Sequence, residues 1–365
     1  QGDLLLKNAR VITVAGGALP KADVLVLDGR IADIGSNLTA PDGVTTLDLS
    51  GYWLMPGIID PHSHMAVTGI NEFTQSITSE VRQADVVNHT QLAVHRAVAG
   101  GVTTIHTMHG SANTMGGQNA VLKLKFNTSP REMLVTTGPR IVKFALGENV
   151  TRERSTPRFP NSRMGVESVL RTAFNAAEEY ERTWADYNAR TAQGEILPIP
   201  RRDIRLEALR DIHQGDIWIH SHCYRADEIL RLLDVTQEYS VRVATLQHVL
   251  EGYRIAPEIF AHGAGTSTFS DWWSYKKEAY DAIPYNAPMT LRAGIVTSLN
   301  SDSSEVVRHM NLEAAKMLRF GGLSADEALR LITINPAIQL GLDSRIGTIE
   351  TGKDGDLAVF TRHPL

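Results

Sequence analysis

The chain has one cysteine, Cys223, among 365 residues. No internal disulfide can form, so packing, hydrogen bonds or bound metal must hold the fold, and the redox compartment stays open. No apolar run reaches the length that crosses a bilayer. Positive charge is not in surplus: 36 Lys and Arg against 41 Asp and Glu leave a net charge of −5. That balance gives no electrostatic reason to expect nucleic acid or an anionic membrane as partner. Internal repeats and low-complexity segments are missing too, which excludes solenoids and tracts of biased composition. The sequence begins at Gln1 without a methionine. A secretory signal upstream would place the protein in the periplasm or outside the cell; otherwise the cytoplasm is expected.

What is present suits a barrel of roughly 250 residues with a smaller appendage. Residues 3–55 alternate as short strands (Leu4–Leu6, Val11–Val14, Val24–Leu27, Ile31–Ile34, Thr45–Leu49) between turns at Gly16-Gly17, Asp28-Gly29 and Pro41-Asp42-Gly43. This predicts a small antiparallel β unit. Gly347–Phe360 has the same character and is expected to pair with it. The expected division is therefore 1–56 and 346–365 as the two parts of one discontinuous β-sandwich, flanking a barrel over 57–345.

Between them, apolar strand candidates at 58–60, 102–108, 133–137, 141–146, 217–220, 241–247, 264–268 and 295–299 alternate with helical patterns. The helices are expected at 81–99, 166–188, 203–213, 225–239 and 304–320. In 166–188, Val166, Val169, Leu170, Ala173, Phe174, Ala177, Tyr180, Trp184 and Tyr187 fall at helical spacing. Eight strands alternating with helices predict an α/β fold, a (β/α)8 barrel. Barrel enzymes carry their chemistry on the loops that follow the strands.

Ligand-type residues collect at those places. Pro56-Gly57 breaks the chain, Ile58-Ile59 form a short strand, and His62 and His64 follow at i and i+2. Side chains two apart on an extended backbone share a face, which suits chelation of one cation. His106 and His109 follow the next strand, then the Gly-rich loop 110–117 with Asn113. Ile217-Trp218-Ile219 ends in His220-Ser221-His222, Val241–Leu246 in His248, and Ile295–Leu299 in Asn300-Ser301-Asp302. Lys143 sits inside an apolar strand, where an unpaired ammonium tends to lose its proton. A neutral lysine can take up carbon dioxide as a carbamate able to bridge two cations; the plainer reading is a lysine reaching out at the barrel's lower rim. Glu148, five residues on, is the rival bridging ligand.

These residues resemble the amidohydrolase superfamily of metal-dependent hydrolases. The resemblance rests on Pro56-Gly-Ile-Ile-Asp-Pro-His-Ser-His64, His220, His248, Asp302, Thr333-Ile-Asn-Pro-Ala337 and Gly352–Phe360. Within it the chain is most similar to the imidazolonepropionase-related enzymes, which include Xaa-Pro dipeptidases. Lys143 matches the place of their carboxylated lysine, whereas Gly147-Glu148-Asn149 is similar to the glutamate ligand of N-acetylglucosamine-6-phosphate deacetylases, so one metal or two stays open. The acidic residue that the deaminases carry shortly after the fifth-strand histidine is missing, since Ser221, His222 and Cys223 follow His220.

The resemblance implies one or two divalent ions, zinc first among them, held by His62, His64, His220, His248 and Asp302 with Lys143 or Glu148 between. Asp302 is the expected acid–base and His222 a contact to the developing oxyanion. A small-molecule or dipeptide-like substrate would meet His109, Asn113, Arg152 and Arg154, under a covering loop carrying Trp272 and Trp273. Hydrolysis of an amide-type C–N bond is the expected reaction. A mononuclear deaminase or an N-acetyl-sugar deacetylase is the alternative, and an inactive barrel scaffold the rival of another class. Assembly of the chain with copies of itself stays open.

Overall fold

The computed structural model describes residues 2–152, 157–272 and 274–365. The first strands are β1 (Leu4–Ile12), β2 (Ala18–Leu27), β3 (Arg30–Gly35), β4 (Thr45–Asp48) and β5 (Trp53–Pro56). They join one six-stranded sheet in the order β15-β5-β1-β2-β3, with β4 also on β1, where β15 is Leu357–Phe360. The C-terminal strand does pair with the N-terminal unit, antiparallel to β5. One expectation changes. β4 and β5 run parallel to β1, pairing its two halves in turn, so the sheet forks along β1. Its core is Leu6, Val11, Val24, Ile31, Leu54 and Ile349.

The larger part holds two parallel groups. β6 (Ile58–Ser63) pairs with β7 (Val102–Thr107). β10 (Arg140–Ala145), β11 (Ile217–Cys223), β12 (Val243–His248), β13 (Gly265–Thr268) and β14 (Thr297–Leu299) follow one another side by side. The expected third strand at 133–137 does not form. Pro130 opens a helical turn, Pro130–Met133, and Ser129 with Glu132 closes a capping box on it, so the chain there is committed to helix. Leu134 makes only an isolated bridge to Leu122.

The place is filled from the stretch read as a Gly-rich loop. β8 (Met115–Gln118) lies antiparallel to β10 and β9 (Ala120–Lys123) antiparallel to β7. Between them the Asn119 amide donates to Ile141 O at 2.7 Å. One bent segment thus spans the two parallel groups. On the far side no strand ladder joins β14 to β6 among the described residues. Backbone at 331–332 bridges them instead, with Leu299 N donating to Leu331 O and Ile59 N to Ile332 O, both at 2.9 Å.

The long helix Arg163–Ala192 buries Val166, Val169, Leu170, Ala173, Phe174, Ala177 and Tyr180 along the predicted stripe. Phe174 packs with Phe144, Ile219, Leu232 and Ile259 in one core outside β10–β12. Helices Ile204–His213 and Ala226–Glu238 lie close to expectation, and 304–320 becomes a short 3-10 turn followed by Met310–Gly321. The expected helix 81–99 is cut down to Leu92–Ala99. Val87 is extended and the Asn88 amide donates across to Ala66 O at 2.7 Å, so this stretch spends its hydrogen bonds on another segment. Among the described residues, no helix is long and apolar enough to cross a membrane.

Candidate metal centre and catalytic site

Strand register decides which side chains meet. In parallel neighbours, residues side by side face the same way. Lys143 lies beside His220 and His220 beside Thr245; one step nearer the strand ends, His222 lies beside Gln247 and Gln247 beside Ser267. Lys143, His220, His222, Gln247 and His248 are all buried. His248 reaches the same space by a different device. Its φ is 68° and that of Val249 is 41°, a left-handed turn that breaks the strand's alternation.

His62, His248 and Asp302 bring ligand atoms within 4.8 Å of one another. The His64 ring also meets Asp302, with Nε2 3.2 Å from Oδ1. His62 Nε2 lies 3.7 Å from the same oxygen and His248 Nε2 3.9 Å from Oδ2. Hydrogen-bond polarity shows what this cluster suits. Met108 O is 2.9 Å from His64 Nδ1 and can only accept, so Nδ1 carries a proton and Nε2 faces the Asp302 carboxylate. A carboxylate and an imidazole lone pair facing each other this closely need a proton or a cation between them. Burial holds His62 and His222 well below the ordinary histidine range and His248 at about 3, so these rings are neutral and free to ligate. Burial by itself would raise Asp302, but contact with His64 and the neighbouring His248 and Lys143 outweigh it and hold the carboxyl below its usual range. Divalent metal fits this donor set.

Lys143 is enclosed, not at the lower rim. Its Nζ lies 3.1 Å from His62 Nε2 and 3.8 Å from Met108 Sδ. Burial pulls its pKa down to about 7. Glu148 is elsewhere: its side chain is 40% exposed and its oxygen lies 3.7 Å from Lys276. The carboxylate starts the short helix Glu148–Thr151 outside the cluster, so it does not bridge there.

Four other expectations shift. His220 lies a layer below the cluster with both ring nitrogens engaged, Nε2 with Gln339 O at 3.2 Å and Nδ1 with Gln247 Nε2 at 3.1 Å. His222 is the fifth-strand imidazole that faces the cluster, its ring centroid 4.8 Å from that of His248. His109 donates from Nδ1 to Gly110 O and accepts the Glu72 amide on Nε2, at 2.9 and 2.8 Å. Asn113 donates to Thr78 Oγ1 at 2.7 Å and to the carbonyls of Glu72 and Gln75. These two fasten the 72–78 loop; of their side-chain polar atoms only the buried Asn113 Oδ1 is left without a hydrogen-bond partner. A Cβ at Gly116 would fall 2.5 Å from His109 Nδ1, so the glycine there makes room for that ring.

At the rim, Asn149 Nδ2 meets both His222 Nε2 (3.4 Å) and Ser111 Oγ (2.7 Å), and Arg152 lies 3.4 Å from Asn149 Oδ1. Trp272 stacks on Phe269 at 4.5 Å, and Phe269 on His248 at 4.8 Å. Tyr224 and Tyr275 share a hydroxyl contact of 2.8 Å beside them. This aromatic wall, apart from Trp272, was not anticipated. Arg154 and Trp273 lie outside the described residues. Trp272→Ala is expected to raise KM for substrates with an apolar part while costing about 1 kcal/mol of stability, the scale of one aromatic stack; steady-state kinetics beside a melting curve separates the two.

Imidazoles and a carboxylate gathered at the ends of parallel strands make a candidate centre for a divalent cation as a class. Comparison with known proteins gives that class its family: residues 53–364 match the amidohydrolase family, and the chain belongs to it, among hydrolases of carbon–nitrogen bonds. It is similar to the crystal structure of an amidohydrolase from Thermotoga maritima, with TM-score 0.90, 31% identity, and coverage of 99% of this chain and 94% of that one. Dihydroorotase of Streptococcus pneumoniae is 30% identical over 408 residues, 98% of this chain and 90% of the relative. Amidohydrolase tasK of Hapsidospora irregularis is 29% identical over 374 residues, which are 94% of this chain. The chain spans 38% of that relative's length.

Proposed function

We propose that the chain is a metal-dependent amidohydrolase that cleaves an amide-type C–N bond in a dipeptide, an N-acyl amino acid or a cyclic amide. The proposed architecture is a (β/α)8-type barrel over 57–345, with segments 1–56 and 346–365 forming the appended β domain. The observation that carries this reading is the convergence of the His64 and His62 Nε2 atoms on the Asp302 carboxylate. His62, His64 and Asp302 would hold one divalent ion, zinc by the mix of imidazole and carboxylate donors. His222 and His248 would hold a second, with carbamylated Lys143 between. Bound metal supplies a Lewis acid that polarises the scissile carbonyl and makes water acidic enough to react near neutrality. Asp302 takes the proton of the attacking water and delivers it to the leaving nitrogen. Asn149, beside His222 at the mouth, is placed to orient the substrate carbonyl. The Phe269–Trp272 wall shields the centre from bulk water.

The relatives named dihydroorotase and imidazolonepropionase favour the cyclic amide among these substrates. Protein purified without chelator is expected to contain zinc on elemental analysis, and to lose turnover on treatment with a chelator and regain it with added zinc. Assay against cyclic amides, dipeptides and N-acyl amino acids tests the substrate class. Release of free ammonia in place of ring opening or amine release would point to the deaminase alternative. A protein that takes up no divalent ion overturns the reading.

A further inference from the structure

Gln247 sits next to His248, yet both side chains face the barrel interior. Strand alternation accounts for the first: Gln247 lies beside His222, while Leu246 packs outward with Ile219 and Leu232. The left-handed turn at His248 accounts for the second. Fully buried, Gln247 lies between two rings, with Oε1 3.0 Å from His62 Nδ1 and Nε2 3.1 Å from His220 Nδ1.

The direction of this chain of hydrogen bonds can be worked out from one end. The Gln339 carbonyl can only accept, so His220, 3.2 Å away, carries its proton on Nε2. A neutral His220 then has a lone pair on Nδ1, which must receive from the amide NH2 of Gln247. That turns the amide oxygen toward His62, whose Nδ1 must therefore carry the proton. The remaining lone pair of His62, on Nε2, faces Lys143 Nζ and the Asp302 carboxylate. Gln339 is itself held on three sides. Its amide donates to Thr266 O and Val296 O at 2.9 and 2.8 Å, and its Oε1 accepts from Ser298 at 2.6 Å.

We propose that Gln247 is a positioning residue: backed by His220 and the Gln339 carbonyl, it locks the tautomer of His62 and so presents Nε2 to a divalent cation. The inference rests on the metal-site reading for its purpose, but not for its geometry. An apolar residue at 247 leaves the His62 proton free to move to Nε2, and every such molecule must be rearranged before it can ligate. Loss of a partner behind a metal ligand costs roughly 10–100-fold in metal affinity.

Metal-free full-length protein labelled with 15N-histidine tests the inference by NMR, the His62 signals being assigned through their loss in His62→Asn. The expected wild-type result is a protonated Nδ1 and an unprotonated Nε2 on His62. In Gln247→Met, which keeps the length and removes both polar atoms, His62 is expected to show mixed tautomers and a zinc Kd raised roughly 10–100-fold by chelator competition. Gln247→Glu, which still accepts from His62, should keep the wild-type tautomer and most of the affinity. A wild-type His62 protonated on Nε2 overturns the proposal without any variant, as does Gln247→Met with unchanged tautomer and Kd. Failure of the wild-type protein to bind zinc, with the tautomer pattern as expected, would instead overturn the metal-site reading and leave the positioning role of Gln247 standing.

Discussion

Asp302→Asn is expected to lower kcat by roughly two to four orders of magnitude while changing bound metal per chain much less. The variant keeps an oxygen that accepts as the carboxylate does, so cation ligation through Oδ1 survives in weakened form. What it loses is the ability to take a proton. Asp302 follows β14 and its amide donates to His62 O at 3.0 Å, so it is tied by backbone to the strand that carries the first two imidazoles. Its side chain is 24% exposed, open enough to meet a water on the substrate side while the other face meets His64. Because its surroundings hold it below the usual carboxylate range, the base form is already present well below neutral pH. The fall in kcat should accordingly persist across neutral and alkaline pH. Parallel measurement of turnover and metal content decides the matter, and a variant with near-normal turnover would assign the proton transfer to another group.

Lys143→Met is the second large effect expected. If carbamylated Lys143 bridges two cations, the variant loses one of them. The Lewis-acid contribution of a cation is several kcal/mol, and each 1.4 kcal/mol is about tenfold. Turnover should drop by about two to three orders of magnitude, with one metal fewer per chain. The wild-type protein adds a test by pH. Burial has brought Lys143 to about 7, so the neutral amine that reacts with carbon dioxide dominates above that value and is lost below it. Reactivation of metal-stripped enzyme by zinc with bicarbonate should therefore increase as pH rises through about 7. Reactivation independent of bicarbonate, with no mass added to Lys143, would leave a mononuclear centre.

The parts of this site that the sequence disclosed are those fixed by local chemistry. His62 and His64 stand two apart behind a Pro-Gly break, and Lys143 is conspicuous because its neighbours are apolar. Alternation alone puts His220 and His222 on one face without saying how deep each lies; depth follows from the register with β10 and β12, which is a property of the assembled sheet. Nearness to the strand end was the available clue, and it favours His222. The antiparallel segment at 115–123 was hidden because Gly116-Gly117 reads as loop, while its pairing depends on β7 and β10 on either side. Gln247 was out of reach for a related reason. Next to a histidine on a strand it should face the other way, and only the φ of 68° at His248 brings the two together.

That backbone turn has a consequence for how such a protein changes over generations. His248, Val249 and Asp302 all hold positive φ, a conformation that side-chain-bearing residues resist at a cost on the order of 1–3 kcal/mol each. Glycine at any of these positions would relieve that cost, and at two of them it would also delete a proposed ligand. Selection against backbone strain therefore pulls against the very residues proposed to hold the cation. A lineage released from the need to catalyse would not lose these side chains at random: partly exposed Asp302 would go before buried His248, whose loss leaves a cavity.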